Sequence, residues 1–368
     1  MTTYHTFAVW RFIAALMVMA YHFLHYSENG LDWAVWFENM LPLLDLFFMI
    51  SGYLIYDRYA QKLSQPGSYA PFLMRRMARL YPLHLATTGF FVLVSLAWQF
   101  GIIDSNAGAS RYNWSSLPAN LLLLQAWGVQ DTLTFNYVSW SVSAEWFCYL
   151  MMPVILLVAS RFGWLGLIVL AAVTYAGLEF AIAQGWTFGK FMADTKLWGA
   201  YRVFSAFCLG AVAWHLSQLR PYPVRSHALG WILGFFLVWL MFNGVNYYII
   251  LAGMVLALAL AGAAELDNPD GIKWISPALP VLAVSFGIYL WHPVVETVLL
   301  SLVWNRMIGA FMPMPIEAFM VFAAFVTLLV ALCSARYFEK PVAEWILARV
   351  KYRGGVSHRT ASTHIPGE

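Results

Sequence analysis

Arg11 and His22 sit eleven positions apart in the apolar run Ala8-Val-Trp-Arg-Phe-Ile-Ala-Ala-Leu-Met-Val-Met-Ala-Tyr-His22. On an α-helix, eleven residues advance three turns and about 20°, which puts both side chains on one stripe roughly 16 Å apart. A guanidinium fork suits a phosphate or carboxylate, and an imidazole that titrates near neutrality suits proton transfer to or from a hydroxyl. The structural alternative is an arginine snorkelling to the membrane surface and a hydrogen-bonded core histidine.

Ionisable residues interrupt further apolar runs, where a charge is expensive and calls for a reason. Asp45 lies in Leu43-Leu-Asp-Leu-Phe-Phe-Met-Ile-Ser-Gly-Tyr-Leu-Ile55, whose Ser51-Gly52 also permits close helix packing. Arg75, Arg76 and Arg79 stand in Phe72-Leu-Met-Arg-Arg-Met-Ala-Arg-Leu-Tyr-Pro82. Arg76 and Arg79 share a helix face, either as an anion clamp or as positive charges at a membrane edge. Glu145 comes four residues after Ser141 in Ser139-Trp-Ser-Val-Ser-Ala-Glu145, within reach of a capping role, yet already inside an apolar run. His292 precedes a helix-kinking proline in Ser285-Phe-Gly-Ile-Tyr-Leu-Trp-His292-Pro293. His22, His25 and Glu28 have ligand-like spacing, but no second cluster accompanies them and no metal is expected. No Gly-rich phosphate loop and no Gly-x-Ser-x-Gly elbow is present.

The elements that must carry these residues are membrane helices. Of the 368 residues 61% are hydrophobic and 11% charged, against roughly 25% charged in soluble domains. Apolar runs near the ~20 residues that cross a bilayer recur along the chain. They predict an all-α polytopic membrane protein with about ten spans, near 8–26, 41–57, 79–100, 141–160, 163–183, 201–219, 228–243, 245–264, 279–301 and 315–334. The first is read as a retained helix, since no basic n-region or cleavage motif frames it. The shorter run Leu117–Trp127 is expected to be re-entrant or interfacial. With the N-terminus inside, 16 of the 21 Lys and Arg residues face the cytoplasm, so both termini are expected there. Residues 1–348 form one transmembrane domain and 349–368 a short basic tail. The net charge of +3 gives no reason to invoke nucleic acid. Cys148, Cys208 and Cys333 lie in apolar runs at unrelated spacings and read as core residues.

In order, these segments resemble the acyltransferase-3 family of bacterial inner-membrane O-acyltransferases. The resemblance rests on Arg11 through ten residues to His22, Leu46–Ile55, Arg75–Pro82, Trp140–Glu145, Ser285–Pro293 and Phe338-Glu-Lys-Pro341. It covers residues 11–341, in the stand-alone form without an appended hydrolase-like domain. Ala8 and Phe12 depart from the Asp and Gly that the family often places around the arginine.

The resemblance implies transfer of an acyl group, most often acetyl, from cytoplasmic acyl-CoA to a sugar hydroxyl. The acceptor would be a surface or exported glycan, such as lipopolysaccharide, exopolysaccharide, peptidoglycan or a lipid-linked sugar. Arg75, Arg76 and Arg79, with Arg11, then suit the donor phosphates. His22 suits the general base, and Glu145 would orient it or bind acceptor hydroxyls. Trp140, Ser141, Asp45 and His292 fall to the acceptor side. A transporter or flippase of lipid-linked sugars, using the polar stripe as its path, is the competing reading.

Overall fold

The computed structural model describes residues 4–28, 30–103, 108–187, 192, 195–219 and 223–353. Among these there are helices and no strands. They are α1 (His5–Leu24), α2 (Gly30–Glu38), α3 (Leu43–Leu63), α4 (Tyr69–Gln99), α5 (Gly108–Arg111), α6 (Leu117–Leu121), α7 (Trp140–Leu150), α8 (Met152–Ala183), α9 (Gly199–Gln218), α10 (Ala228–Phe242), α11 (Tyr247–Asp267), α12 (Leu279–Leu282), α13 (Ser285–Val295), α14 (Ile316–Ser334) and α15 (Lys340–Arg353). Widened π-type turns continue α13 over Glu296–Ile308, three residues past Pro293, where the ring removes an N–H from the ladder. Six helical segments are long and apolar enough to cross a membrane, or seven if α2 and α3, bent by 47°, count as one. Leu93, Val173 and Val321 are exposed on these helices, as a lipid-facing surface requires.

The ten expected spans differ from the helices at their ends. Span 79–100 begins ten residues earlier, at Tyr69, because the arginines of Phe72–Arg79 are good helix formers that an apolar count leaves out. Spans 141–160 and 163–183 become α7 and α8, parted at Met151, with Gly163 inside α8 at φ 61° and ψ −156°. The run Leu117–Trp127 holds only the five-residue α6 before the chain turns at Leu123, φ 57°. Residues 349–353, placed in the tail, complete α15, while 354–368 lie outside the described residues.

Helix α3 packs along α9 in the same direction. Asp45 near the start of α3 meets Arg202 near the start of α9 through two bonds, Nε–Oδ1 at 2.9 Å and Nη2–Oδ2 at 2.8 Å. One to two turns on, a Cβ on Gly52 would strike the backbone of Phe207, and one on Gly210 the backbone of Met49. Two backbones can approach this closely only where side chains are absent. Tyr56 and Asp57 then bond His215 and Trp214 at 2.9 and 2.8 Å. Helix α7 also parallels α9, with Trp140 against Gly199 and Tyr149 against Phe207. So does α11, whose Tyr247 hydroxyl donates to Asp45 at 2.9 Å and whose Gly262 receives the Tyr53 ring.

The bundle thus has two ends. Arg11, Arg58, Arg76 and Arg79 mark one, and His22 and His292 the other. Helix α1 runs from the arginine end to the histidine end. No side chain of its own caps its start, and Glu265 of α11 does so instead, accepting the Thr6 N–H at 2.7 Å.

Candidate active site

At the arginine end, five guanidiniums gather on three elements. Arg11 of α1 lies over the Phe47 ring at 4.5 Å and within electrostatic reach of Arg79, Glu145, Tyr149 and Arg58. Arg76 is buried, donates to the Tyr59 hydroxyl at 2.9 Å and faces the rings of Tyr59 and Tyr149. Arg75 is exposed and reaches the same Tyr59 ring. Three carboxylates stand with them. Glu145 accepts the Tyr149 hydroxyl at 2.6 Å, Asp57 lies near Arg58, and Glu339 near Arg79. Five cations with three carboxylates leave this end positive, which suits a polyanionic ligand.

At the histidine end, the His22 and His292 rings stack with centroids 5.3 Å apart and planes 23° apart. Tyr137 meets His22 edge-on at 5.0 Å. His22 is half-buried, lines a cavity and makes no hydrogen bond to the protein among the described residues. His292 is fully buried. The Ile288 carbonyl at 3.3 Å takes its Nδ1 proton, and Nε2 is left as a buried lone pair with no partner. The cavity holds about 90 Å³ and is walled by His22, Tyr137, Trp140, Lys196, Tyr21 and Tyr289. That is several times the roughly 10–15 Å³ one water needs by the same measure, room for a small acyl group and a hydroxyl.

Behind Tyr137 lies Glu296, buried and accepting two phenols, Tyr137 at 2.9 Å and Tyr26 at 3.1 Å. Both hydroxyls donate, because an ionised carboxylate offers only acceptors. Arg111 sits between the Phe91 and Tyr137 rings at 5.1 Å from each.

The expected residues thus divide. His22 and Trp140 line the cavity, and His292 stacks on His22. Arg11, Arg75, Arg76, Arg79 and Glu145 come together at the other end. Glu145 makes no hydrogen bond to His22 among the described residues, and the carboxylate bonded to the Tyr137 that packs on His22 is Glu296. Asp45 lies outside the cavity, taken up by Arg202 and Tyr247 in a fully buried pair. Ser141 donates to the Val138 carbonyl at 3.1 Å and shapes the entry to α7. His25 is exposed and bonds the Tyr21 carbonyl, and no group of three or more His, Cys, Asp or Glu side chains converges among the described residues.

Arg58, Tyr59, Tyr149, Tyr26, Glu296, Arg111 and Lys196 are absent from the expected set. Glu296 alone carried a readable signal, being an acid one helical turn beyond His292 in an apolar span.

Arg11 and His22 thus lie toward opposite ends of α1, one within the arginine cluster and the other at a small cavity beside His292. The acyltransferase-domain model of the acyltransferase-3 family matches residues 5–335. This chain belongs to that family. With six or seven helical segments long and apolar enough to cross a membrane among the described residues, membership of that family suggests a multi-pass membrane protein. The chain is 24% identical over 335 residues to nodulation protein 10 of Rhizobium leguminosarum bv. viciae, covering 82% of this chain and 85% of the relative. It is 26% identical over 316 residues to the peptidoglycan O-acetyltransferase OatA of Listeria monocytogenes, covering 77% of this chain and 47% of that one. It is 30% identical over 150 residues to the acyltransferase MdmB of Streptomyces mycarofaciens, covering 39% and 36%. The chain thus matches about a third of the length of MdmB and about half that of OatA. No solved structure matches it.

Proposed function

We propose that this acyltransferase moves an acetyl group from cytoplasmic acetyl-CoA to a sugar hydroxyl of a surface or exported glycan, with His22 as general base. One observation carries the reading: His22 is the cavity-lining imidazole that the protein leaves without a hydrogen bond, and it stands on the stripe that starts at Arg11. A sugar hydroxyl is a weak nucleophile at neutral pH, and removing its proton as it attacks the thioester is the step imidazole suits. Arg11, Arg75, Arg76 and Arg79 hold the phosphates of CoA at the arginine end. The roughly 16 Å from Arg11 to His22 is then the distance the donor's arm spans to bring its thioester to the base. Glu145 fixes Arg11 and Arg76 rather than His22. Trp140 lines the acceptor side, with His292 stacked behind the base. The peptidoglycan named for OatA supports a glycan acceptor without identifying the one used here. A chain that crosses a bacterial inner membrane ten times, with both termini in the cytoplasm, would present the arginine end to the donor and the histidine end to the acceptor.

Purified protein given acetyl-CoA and a sugar acceptor tests the reading, scored by release of free CoA and by the mass of the product. Wild type is expected to turn over. His22→Ala is expected to keep its melting temperature and lose about 10²–10⁴-fold in kcat, the usual contribution of a general base. Near-normal turnover by His22→Ala would transfer the assignment to His292. No thioester consumption by wild type with any acceptor would point back to transport.

A further inference from the structure

We propose that Glu296 is a positioning residue for His22, acting through the Tyr137 ring; this rests on the general-base reading above. Glu296 comes from the π-type turns after α13, Tyr26 from the loop that ends α1, and Tyr137 from the turn that enters α7. One carboxylate therefore ties the continuations of α1 and α13, helices that lend Tyr21, His22 and Tyr289 to the cavity wall, to the turn that carries Tyr137. Its two oxygens are divided, Oε1 to Tyr26 and Oε2 to Tyr137. The consequence for His22 is geometric. Its ring is packed by His292 at 5.3 Å, by the edge-on Tyr137 at 5.0 Å and by its chain neighbour Tyr21 at 5.1 Å, while no hydrogen bond of its own among the described residues fixes its rotation. Packing sets its aim, and Tyr137 is the neighbour from another element whose hydroxyl is held by a buried carboxylate. His292 needs no such support, because Pro293 and the Ile288 carbonyl already fix it to α13.

A carboxylate suits this place better than an amide. It accepts from both phenols at once, whereas Gln offers one carbonyl oxygen and an NH₂ that cannot accept. The Arg111 guanidinium, seated on the far side of the Tyr137 ring and within electrostatic reach of Glu296, offsets the buried charge.

Four variants of the full chain in detergent test this, with His22→Ala beside them: Glu296→Ala, Glu296→Gln, Tyr137→Phe and the pair Glu296→Ala with Tyr137→Phe. Tyr137→Phe keeps the ring and removes only the hydroxyl, so it reports even if Glu296→Ala fails to fold. A misplaced base costs up to about 10²-fold in rate. Glu296→Ala and Tyr137→Phe should each lower kcat by about tenfold or more, with KM for acetyl-CoA unchanged, because donor phosphates bind at the other end. Gln should recover part of the loss through its one acceptor oxygen. The pair should be no worse than the more damaged single variant, since both act through one bond. Positioning is overturned if Tyr137→Phe keeps kcat within twofold of wild type. It is equally overturned if the two losses multiply, or if the change falls on KM for the donor. If His22→Ala retains turnover, the base assignment itself has failed, a different result from a dead His22→Ala beside an active Tyr137→Phe.

Discussion

Arg76 is the residue on which the donor side can be decided. It is buried, yet it places its guanidinium against the faces of Tyr59 and Tyr149 and donates a 2.9 Å bond to the Tyr59 hydroxyl. Aromatic walls hold the planar fork in one orientation, and a forked donor matches phosphate oxygens two at a time. Arg76→Lys keeps the charge and loses both the fork and the stacking. It should therefore weaken acetyl-CoA binding nearly as much as Arg76→Ala, by about tenfold or more for loss of a charge-assisted bond of roughly 1.5–3 kcal/mol. Arg75, exposed at the edge of the same ring, should tolerate Lys with little change. Titration calorimetry with acetyl-CoA separates these outcomes, and full affinity in Arg76→Lys would leave Arg76 a structural residue only. Residues of this kind were legible where spacing along one helix carries the information, as from Arg11 to His22 or Arg76 to Arg79. They were illegible where the partner is remote. Asp45 looks functional in the sequence because an acid in an apolar run needs a reason, and its reason is Arg202, 157 positions away.

Between elements, the parallel contact of α3 with α9 is the frame that sets the distance between the two ends of the site. Gly52 and Gly210 bring the helices together, and Asp45 with Arg202 fixes their register nearer the histidine end. Asp45→Asn leaves a buried guanidinium without its charge partner and should cost about 3–5 kcal/mol. Gly52→Ala drives a methyl into the Phe207 backbone and should cost about 1–3 kcal/mol by overpacking. Gly89, in the middle of α4 with open space where its Cβ would be, is the control, since Gly89→Ala should be neutral or stabilising by up to about 1 kcal/mol. Thermal unfolding in one detergent ranks the three, and a Gly52→Ala variant as stable as Gly89→Ala would deny the close approach. That Ser51-Gly52 would pack closely was readable from residue size alone. The identity of its partner was not. Where α7 gives way to α8, apolar composition is continuous through Met151, and Pro153 in the first turn of α8 is the local sign of the new start.

Across the whole molecule, the direction of each helix constrains how often the chain can cross the membrane. Helices α3, α7, α9 and α11 all run from the histidine end to the arginine end, so the chain must return between each pair. Helix α4 makes the first return and α10, with Trp10 against Trp231 at one end and Trp36 stacked on Phe242 at the other, makes the last. Between α7 and α9 the return falls inside α8. Tyr69, at the arginine end, bonds the carbonyl of Leu150, yet Tyr175 packs on Tyr247 back at the histidine end. The chain therefore reverses between residues 150 and 175, and Gly163 at φ 61° is where its backbone departs from the helix. With α1 and α13 running toward the histidine end and α14 back, the described helices alternate in direction through the bundle, and six or seven helical segments among them are long and apolar enough to cross a membrane. We propose that the arginine end is the cytoplasmic one, because an excess of Lys and Arg marks the inner side of a membrane protein. Labelling checks the assignment in intact cells. In a Cys333→Ser background, where Cys148 and Cys208 stay buried, cysteines are placed at Gln65, just past the end of α3, and at Asp131, in the segment leading to α7. Both positions are exposed. An impermeant maleimide should react with Asp131→Cys at once and with Gln65→Cys only after the membrane is opened. The reverse order would put the arginines outside, away from cytoplasmic CoA. Equal labelling would mean that the two ends of the site share one face, and that the 16 Å stripe from Arg11 to His22 does not cross the bilayer.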